Sequence, residues 1–210
     1  MPQFSNLTVV NHPLLAHSLT ILRDRDTSTE AFRRHSAIVS RLLLMAATSN
    51  IGLEDKEIVT PLTPATGQQI ADRVVLVPVL RAGLAMLNAA QEFMPWASVG
   101  FIGLERDEKT AVASTYYRKF PQGLAGREVI VVDPMLATGG SLIDTLDALK
   151  KQGATALRAV VIVAAPEGVT RLEAAYPDVP VVTAALDSHL DEHRYIVPGL
   201  GDFGDRYFET

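Results

Sequence analysis

The residues with the clearest chemical content lie between Val129 and Ser141. Val129-Ile130-Val131-Val132 is an unbroken apolar run of the kind that forms a buried strand, and it ends on a carboxylate, Asp133. Pro134-Met135-Leu136 leads into a turn of small residues, Ala137-Thr138-Gly139-Gly140-Ser141, after which Leu142, Leu146 and Leu149 mark one face of a helix. Such a turn exposes main-chain N–H groups at a helix start, where the partial positive charge favours a phosphate. Asp133 stands one short loop away, at the right reach to accept hydrogen bonds from sugar hydroxyls. A phosphate cradle beside a diol acceptor describes a pocket for a ribose 5-phosphate. An ordinary strand-to-helix connection would account for one glycine and a Ser cap. It would not account for the acid, the proline and the Thr-Gly-Gly-Ser sequence together. No Gly-Lys-Ser/Thr follows, so the turn is not a Walker loop.

The elements that must position this turn can be read outward from it. Asn11-His12-Pro13 reads as a helix start, with an amphipathic stretch to about Asp26. Thr27-Ser28-Thr29-Glu30 sets a Thr three residues ahead of a Glu, a capping-box arrangement. The helix it opens carries Phe32, His35, Val39, Leu42, Leu43 and Ala46 at helical spacing and should reach Thr48. From Arg73 the pattern alternates. Strands are predicted at 74–79, 99–104, 129–132, 160–163 and 179–183, with helices at 84–93, 140–152 and 167–175. Fully apolar strands separated by helices indicate an α/β fold, a mostly parallel central sheet covered on both faces, whose ligands bind at the carboxyl ends of the strands. No linker or repeat interrupts it. The expected organisation is a single domain over 1–210, with N-terminal helices in 1–50 and a small C-terminal segment in 185–210.

Composition narrows the function classes. The chain has 210 residues, 48% apolar and 20% charged, which excludes disorder. Its net charge of −5 argues against a surface that coats nucleic acid, while leaving room for a local basic pocket. There is no cysteine, so thiolate metal sites, disulfides and cysteine nucleophiles are excluded together, and a reducing cytoplasm is the expected setting. The start Met1-Pro2-Gln3-Phe4-Ser5-Asn6 has neither the basic nor the apolar run of a signal peptide, and the apolar runs are too short to span a bilayer.

The Asp133–Ser141 stretch resembles the phosphoribosyl-diphosphate signature of type I phosphoribosyltransferases. Most of that superfamily carries two adjacent acids, whereas Pro134 holds the second position here. The form Asp-Pro-Met-Leu-Ala-Thr-Gly-Gly-Ser resembles the variant of the uracil phosphoribosyltransferases. Val77-Pro78-Val79-Leu80-Arg81-Ala82-Gly83-Leu84 looks like that family's strand and pyrophosphate turn, and Leu104-Glu105-Arg106-Asp107-Glu108 like the start of its flexible catalytic loop. Ala164-Ala165-Pro166-Glu167-Gly168 matches as well, and Tyr195 to Arg206 looks like the uracil-recognition loop. The resemblance covers nearly the whole chain.

It implies the type I fold with a small base-binding hood and transfer of a phosphoribosyl group to uracil, giving UMP and diphosphate in pyrimidine salvage. By the same resemblance, Arg81, Arg106, Asp133, Pro134, Met135, Leu136, Ala137, Thr138, Gly139, Gly140, Ser141 and Asp202 bind 5-phosphoribosyl diphosphate. Ile196, Gly201, Asp202 and Phe203 bind uracil, and Arg106, Asp133 and Asp202 are the catalytic set. Mg²⁺ is expected, held by substrate and water rather than by a protein cage. A homodimer or larger homo-oligomer is implied, with the first two helices as plausible contacts, and GTP is a possible activator. The stretch 107–120 is polar and suits a lid, with Lys109 and Arg118 as assistants. Two positions depart from the family's habit: Arg194 and Glu209 each replace a common Gly.

Two patterns mimic other chemistry. Gly199-Leu200-Gly201-Asp202-Phe203-Gly204 has dinucleotide-fingerprint spacing but no βαβ unit after it, and His189-Leu190-Asp191-Glu192-His193 has inverted zinc-protease spacing without room for a helix. Competing functions are transfer to another base, such as a purine or orotate, and a non-catalytic nucleotide- or RNA-binding regulator. Orotate would need a cation for its carboxylate, from Arg194 or Arg206.

Overall fold

The computed structural model describes residues 4–71, 73–106 and 113–210, with only the main chain at 105–106 and 113–115. In chain order the elements are β1 (Leu7–Val9), α1 (Pro13–Arg23), α2 (Thr29–Ala47), β2 (Leu53–Val59), β3 (Pro64–Ile70), β4 (Val74–Leu80), α3 (Leu84–Phe93), β5 (Ser98–Val99), β6 (Phe101–Arg106) and β7 (Ala113–Lys119). There follow β8 (Glu128–Val132), β9 (Met135–Leu136), α4 (Gly140–Lys151), β10 (Ala156–Ala164), α5 (Pro166–Ala175), β11 (Val181–Leu186), β12 (His189–Leu190), β13 (Ile196–Val197) and α6 (Phe203–Phe208).

The sheet runs β1-β11-β10-β8-β4-β6-β7, all parallel except for the β6–β7 pair, with β5 beside β4 and β9 beside β10. The expected mostly parallel sheet is therefore present, edged by one antiparallel strand. Alternate residues of the central strands feed two cores. Leu76, Ile130 and Ile162 face α1, α2 and α3 with Leu22, Phe32, Leu43 and Met86. Val75, Val77, Val129, Val131 and Val161 face α4 and α5 with Leu142, Leu146, Leu149 and Leu172. A strand whose two faces both go into apolar layers must be apolar at every position, which is why these runs lack polar alternation.

Helix starts follow local chemistry. His12 caps α1 by accepting the Leu14 N–H at 3.2 Å, with Pro13 at the first helical position. Ser28, not Thr27, caps α2, accepting the Ala31 N–H at 3.3 Å, while the Thr27 hydroxyl donates to Ile21 O. The capping box read from Thr27 and Glu30 therefore does not form: the cap is Ser28, whose third helical residue is Ala31, because Thr27 is drawn back to the end of α1. Lys150 and Lys151 close the last turn of α4, where positive charge complements the helix dipole.

Beyond α4, the Tyr176 hydroxyl donates to Asp147, and Lys150 Nζ lies 4.8 Å from the Tyr176 ring centre. Burial, together with the hydrogen bond to Asp147 and its charge, pushes the Tyr176 phenol up to about 12. Because the folded value exceeds the unfolded value of about 10, this contribution is complete below pH ~10. It is lost as pH rises through about 12. Thermal melts in this alkaline window should show a fall in Tm that is smaller in Tyr176→Phe; an identical fall in the variant would assign the loss to the other tyrosines and lysines that titrate there.

Candidate active site

Three sequence-predicted segments arrive on adjacent strands. Pro78 is level with Val132 across β4 and β8, and Leu80 is level with Gly103 across β4 and β6. Asp133, the Arg81 turn and the end of β6 at Arg106 therefore leave the same edge of the sheet side by side. This is the carboxyl edge, where open α/β sheets bind ligands.

Asp133 is 9% exposed. Its N–H donates to Val160 O at 3.2 Å, continuing the sheet ladder, and its Oδ1 accepts the Met135 N–H at 3.3 Å. The Pro134 carbonyl accepts from both Ile162 and Val163, at 3.0 and 3.1 Å, so the ladder is interrupted at this step and β9 rejoins β10 in the register that β8 had, Val132↔Val160 and Met135↔Val163. Proline suits this step because it has no N–H to leave unpaired. Met135 and Ala137 pack on the α1–α3 core, and Leu136 on the opposite core.

The turn Ala137–Ser141 then enters α4 through Gly139, at φ 79°, with no side-chain cap on the helix. The positive end of α4 is thus turned toward the loop, the arrangement that holds a phosphate. The turn is held from behind by α5. A Cβ at Gly168 would stand 2.2 Å from Ala137 O, and one at Gly139 would stand 2.9 Å from Gly168 O. Main chain meets main chain here, and only glycine fits on either side.

Arg171 was not foreseen as a site residue. Its Nη1 donates to Thr138 O at 3.4 Å and lies 3.6 Å from where a Gly140 Cβ would be. The available signal was spacing: Arg171 is three residues beyond Gly168 on α5, hence on the same helix face.

Arg81 is exposed in the turn after β4, and the Leu80–Arg81 peptide is cis. Gly83 follows at a close approach, since a Cβ there would lie 2.6 Å from Val79 O and 2.7 Å from Val132 O. The C-terminal segment folds over this turn: Ile196, Leu200 and Phe203 are buried in the same core that takes Ala82, Met135 and Ala137. A Gly204 Cβ would lie 3.9 Å from Ala82 Cβ. Gly201 (φ 77°) and Asp202 are exposed at the start of α6, where Asp202 Oδ1 accepts the Asp205 N–H at 2.9 Å. Asp133, the 137–141 turn, Arg81 and the 196–203 segment are thereby gathered around one edge of the sheet.

Other expectations need correction. Arg106 ends β6, paired with Ala113 of β7. The stretch 107–120 is not a lid throughout, because 113–119 is a strand; 107–112, with Lys109, lies outside the described residues. Arg118 pairs with Ile102 near the amino end of β6, away from the site edge. Arg206 is not available as an orotate cation. Its guanidinium donates to Leu22 O, to Leu200 O at 2.8 Å and to Asp24 O, and it stacks 4.4 Å from the Phe32 ring centre. Burial lowers its pKa, opposed by the Asp24 charge. His189 lies on β12 and His193 in a turn, so they do not share a helix face. The Gly199–Gly204 fingerprint leads into α6, a helix of six residues with no strand after it.

Arg194 and Glu209, expected to stand where glycine is common, share a backbone conformation. Arg194 (φ 67°) and Glu209 (φ 63°) both occupy the left-handed region, where a Cβ costs about 1 kcal/mol relative to glycine.

The mostly parallel sheet covered by helices on both faces, with its glycine turn into α4, has the phosphoribosyltransferase fold. A hypoxanthine-guanine phosphoribosyltransferase of Bacillus anthracis shares that fold at 13% identity, with a TM-score of 0.52 over 76% of this chain and 80% of that one. A structure from Aquifex aeolicus matches far more closely, with a TM-score of 0.92 at 36% identity over 97% and 98% of the two chains. The sequence model described as uracil phosphoribosyltransferase matches residues 9–210. The uracil phosphoribosyltransferase of Latilactobacillus sakei is 48% identical over 98% of this chain and 99% of its own length. That of Streptococcus pneumoniae is 49% identical over 97% and 98%. The chain belongs to the uracil phosphoribosyltransferase family.

Proposed function

We propose that this protein joins uracil to the ribose of 5-phosphoribosyl diphosphate, forming UMP and releasing diphosphate in pyrimidine salvage. The observation that carries the reading is the capless, glycine-lined start of α4 beside the carboxylate of Asp133. Main-chain donors of Ala137 to Ser141 hold the 5-phosphate, and Asp133 accepts from the ribose hydroxyls. The bond from C1 to the diphosphate oxygen breaks, with the electron pair leaving on diphosphate, and uracil N1 bonds to C1 as its proton departs. Positive charge gathers on the ribose ring and negative charge on the leaving group, so stabilising the latter is most of the work. Arg81 and Arg106 supply positive charge at that end. Mg²⁺, a hard cation that prefers phosphate oxygens and water, would be held by the substrate rather than by a protein cage and would neutralise diphosphate charge; among the described residues no cluster of His, Asp or Glu could hold it.

Main-chain groups at Ile196 and at Gly201 to Phe203 read the edge of uracil, and Asp202 reaches the phosphoribosyl substrate and takes the N1 proton. Asp202→Asn keeps an oxygen for the α6 cap, so its effect isolates the base role. We expect a lowered kcat and a changed pH–rate profile; full turnover with an unchanged profile would remove that role.

The commitment of Arg206 to main-chain carbonyls favours uracil over orotate. Turnover assays with uracil, orotate, hypoxanthine and guanine test this directly, and UMP formation from uracil alone is the expected result. Assembly into a homodimer or larger oligomer belongs to the same reading. Its support lies in exposed apolar side chains, Leu14 and Met45 on the first two helices and Val59 and Leu62 on the β2–β3 hairpin. Activation by GTP and a cytoplasmic setting complete the proposal. Among the described residues, no helix is long and apolar enough to cross a membrane.

A further inference from the structure

We propose that Arg23 and Asp187 are positioning residues for the base, acting by fixing Gly199 between the two segments that read it. Arg23 Nη1 and Nη2 meet Asp187 Oδ2 and Oδ1 at 2.9 and 2.5 Å. The pair then takes both main-chain groups of Gly199: Arg23 Nη1 donates to Gly199 O at 2.6 Å, and Asp187 Oδ2 accepts the Gly199 N–H at 2.9 Å. The Asp187 side chain is 4% exposed, and its own N–H is tied to Ala164 O at 2.8 Å, at the carboxyl end of the sheet.

Gly199 is a demanding place to anchor. It sits at φ 58°, and a Cβ there would meet Ile196 O at 2.1 Å. It lies three residues after Ile196 and two before Gly201, so holding both its main-chain groups sets the spacing between the base-reading segments. A second contact runs the other way. Arg206 reaches from α6 back to Leu22 O and Asp24 O, the carbonyls that flank Arg23, and also holds Leu200 O. The last turn of α1 and the 199–206 segment thus grip each other through two arginines. A planar, bidentate guanidinium adds direction, and direction is what base reading requires.

The inference rests on residues 196–203 binding the base. Failure of the unaltered enzyme to use uracil would sink that reading, whereas main-chain exchange in the free protein tests the tether with no substrate present. In Asp187→Asn and Arg23→Lys, hydrogen exchange of amides 196–202 should accelerate. KM for uracil should rise about tenfold or more, as expected for displaced reading groups, while KM for 5-phosphoribosyl diphosphate stays within about twofold. Arg23→Lys, which keeps charge without the planar fork, should fall between Arg23→Ala and the unaltered enzyme. Glu128→Gln serves as the control. It breaks a similarly buried ion pair with Arg158 at the opposite end of the sheet, and should lower Tm without moving the ratio of the two KM values. Unchanged exchange in 196–202, or KM values for both substrates that move together, would overturn the proposal and leave the pair a structural brace.

Discussion

Asp133→Ala is expected to lower kcat/KM for 5-phosphoribosyl diphosphate about a thousandfold while leaving the fold intact. A carboxylate that accepts from two ribose hydroxyls makes two charge-assisted hydrogen bonds, together about 4 kcal/mol, and ~1.4 kcal/mol is a factor of ten. The fold survives because the residue's sheet contact is made by its main-chain N–H to Val160 O, which alanine retains. The link to Met135 N–H that alanine loses is a long one at 3.3 Å. Asp133→Asn should fall between the two, since the amide accepts but carries no charge. UMP formation with saturating uracil gives the comparison, and circular dichroism checks the fold. A loss below tenfold in Asp133→Ala would remove the sugar-binding role from this carboxylate.

Gly168→Ala is expected to be nearly as damaging, although Gly168 touches no substrate in the proposed reading. The added methyl would sit 2.2 Å from Ala137 O and 3.0 Å from Leu136 O, both main-chain atoms that cannot rotate away. Either α5 withdraws or the 136–139 chain is pushed toward the phosphate. Overpacking of this kind costs about 1–3 kcal/mol, and displacement of a binding turn by ~1 Å can cost a hundredfold in rate. The measurements are Tm and the KM for 5-phosphoribosyl diphosphate. Both should worsen, with the KM for uracil less affected. Preserved Tm together with preserved KM would show that the close approach of α5 to the turn does not hold in solution.

These expectations separate what was legible along the chain from what was not. The five core strands and the helices α1 to α5 were readable because their apolar periods are imposed by burial, on both faces of a parallel sheet and on one face of each helix that covers it. Leu84–Phe93 agrees at both ends and the others within a few residues, except that the strand expected at 99–104 is divided between β5 (Ser98–Val99) and β6 (Phe101–Arg106). The β2–β3 hairpin was not foreseen. Leu53–Val59 is exposed at every position, so no buried face imprints a period on it, and it is held by pairing from Leu53↔Ile70 to Val59↔Pro64. β7 was read as part of a polar loop for the same reason: Tyr116 to Lys119 are exposed on an edge strand. Arg171 was missed because its relation to the phosphate turn passes through a helix packed across space, not through the turn's own motif.

The sequence by itself determined the chemistry at the turn. An acid at a strand end, followed by small residues that bring main-chain donors to a helix start, is a local arrangement, and neighbouring residues dictate it wherever the strand lies. Only the tertiary structure decided which distant groups complete the site. Arg23 and Asp187 are 164 positions apart in the chain, and their meeting on Gly199 depends on α1 and the end of β11 reaching the same edge of the sheet. Likewise, Arg206 has the composition of a ligand-binding cation and became a brace because folding surrounded it with carbonyls. Short-range patterns record backbone geometry, whereas the partner of a long charged side chain is set by packing.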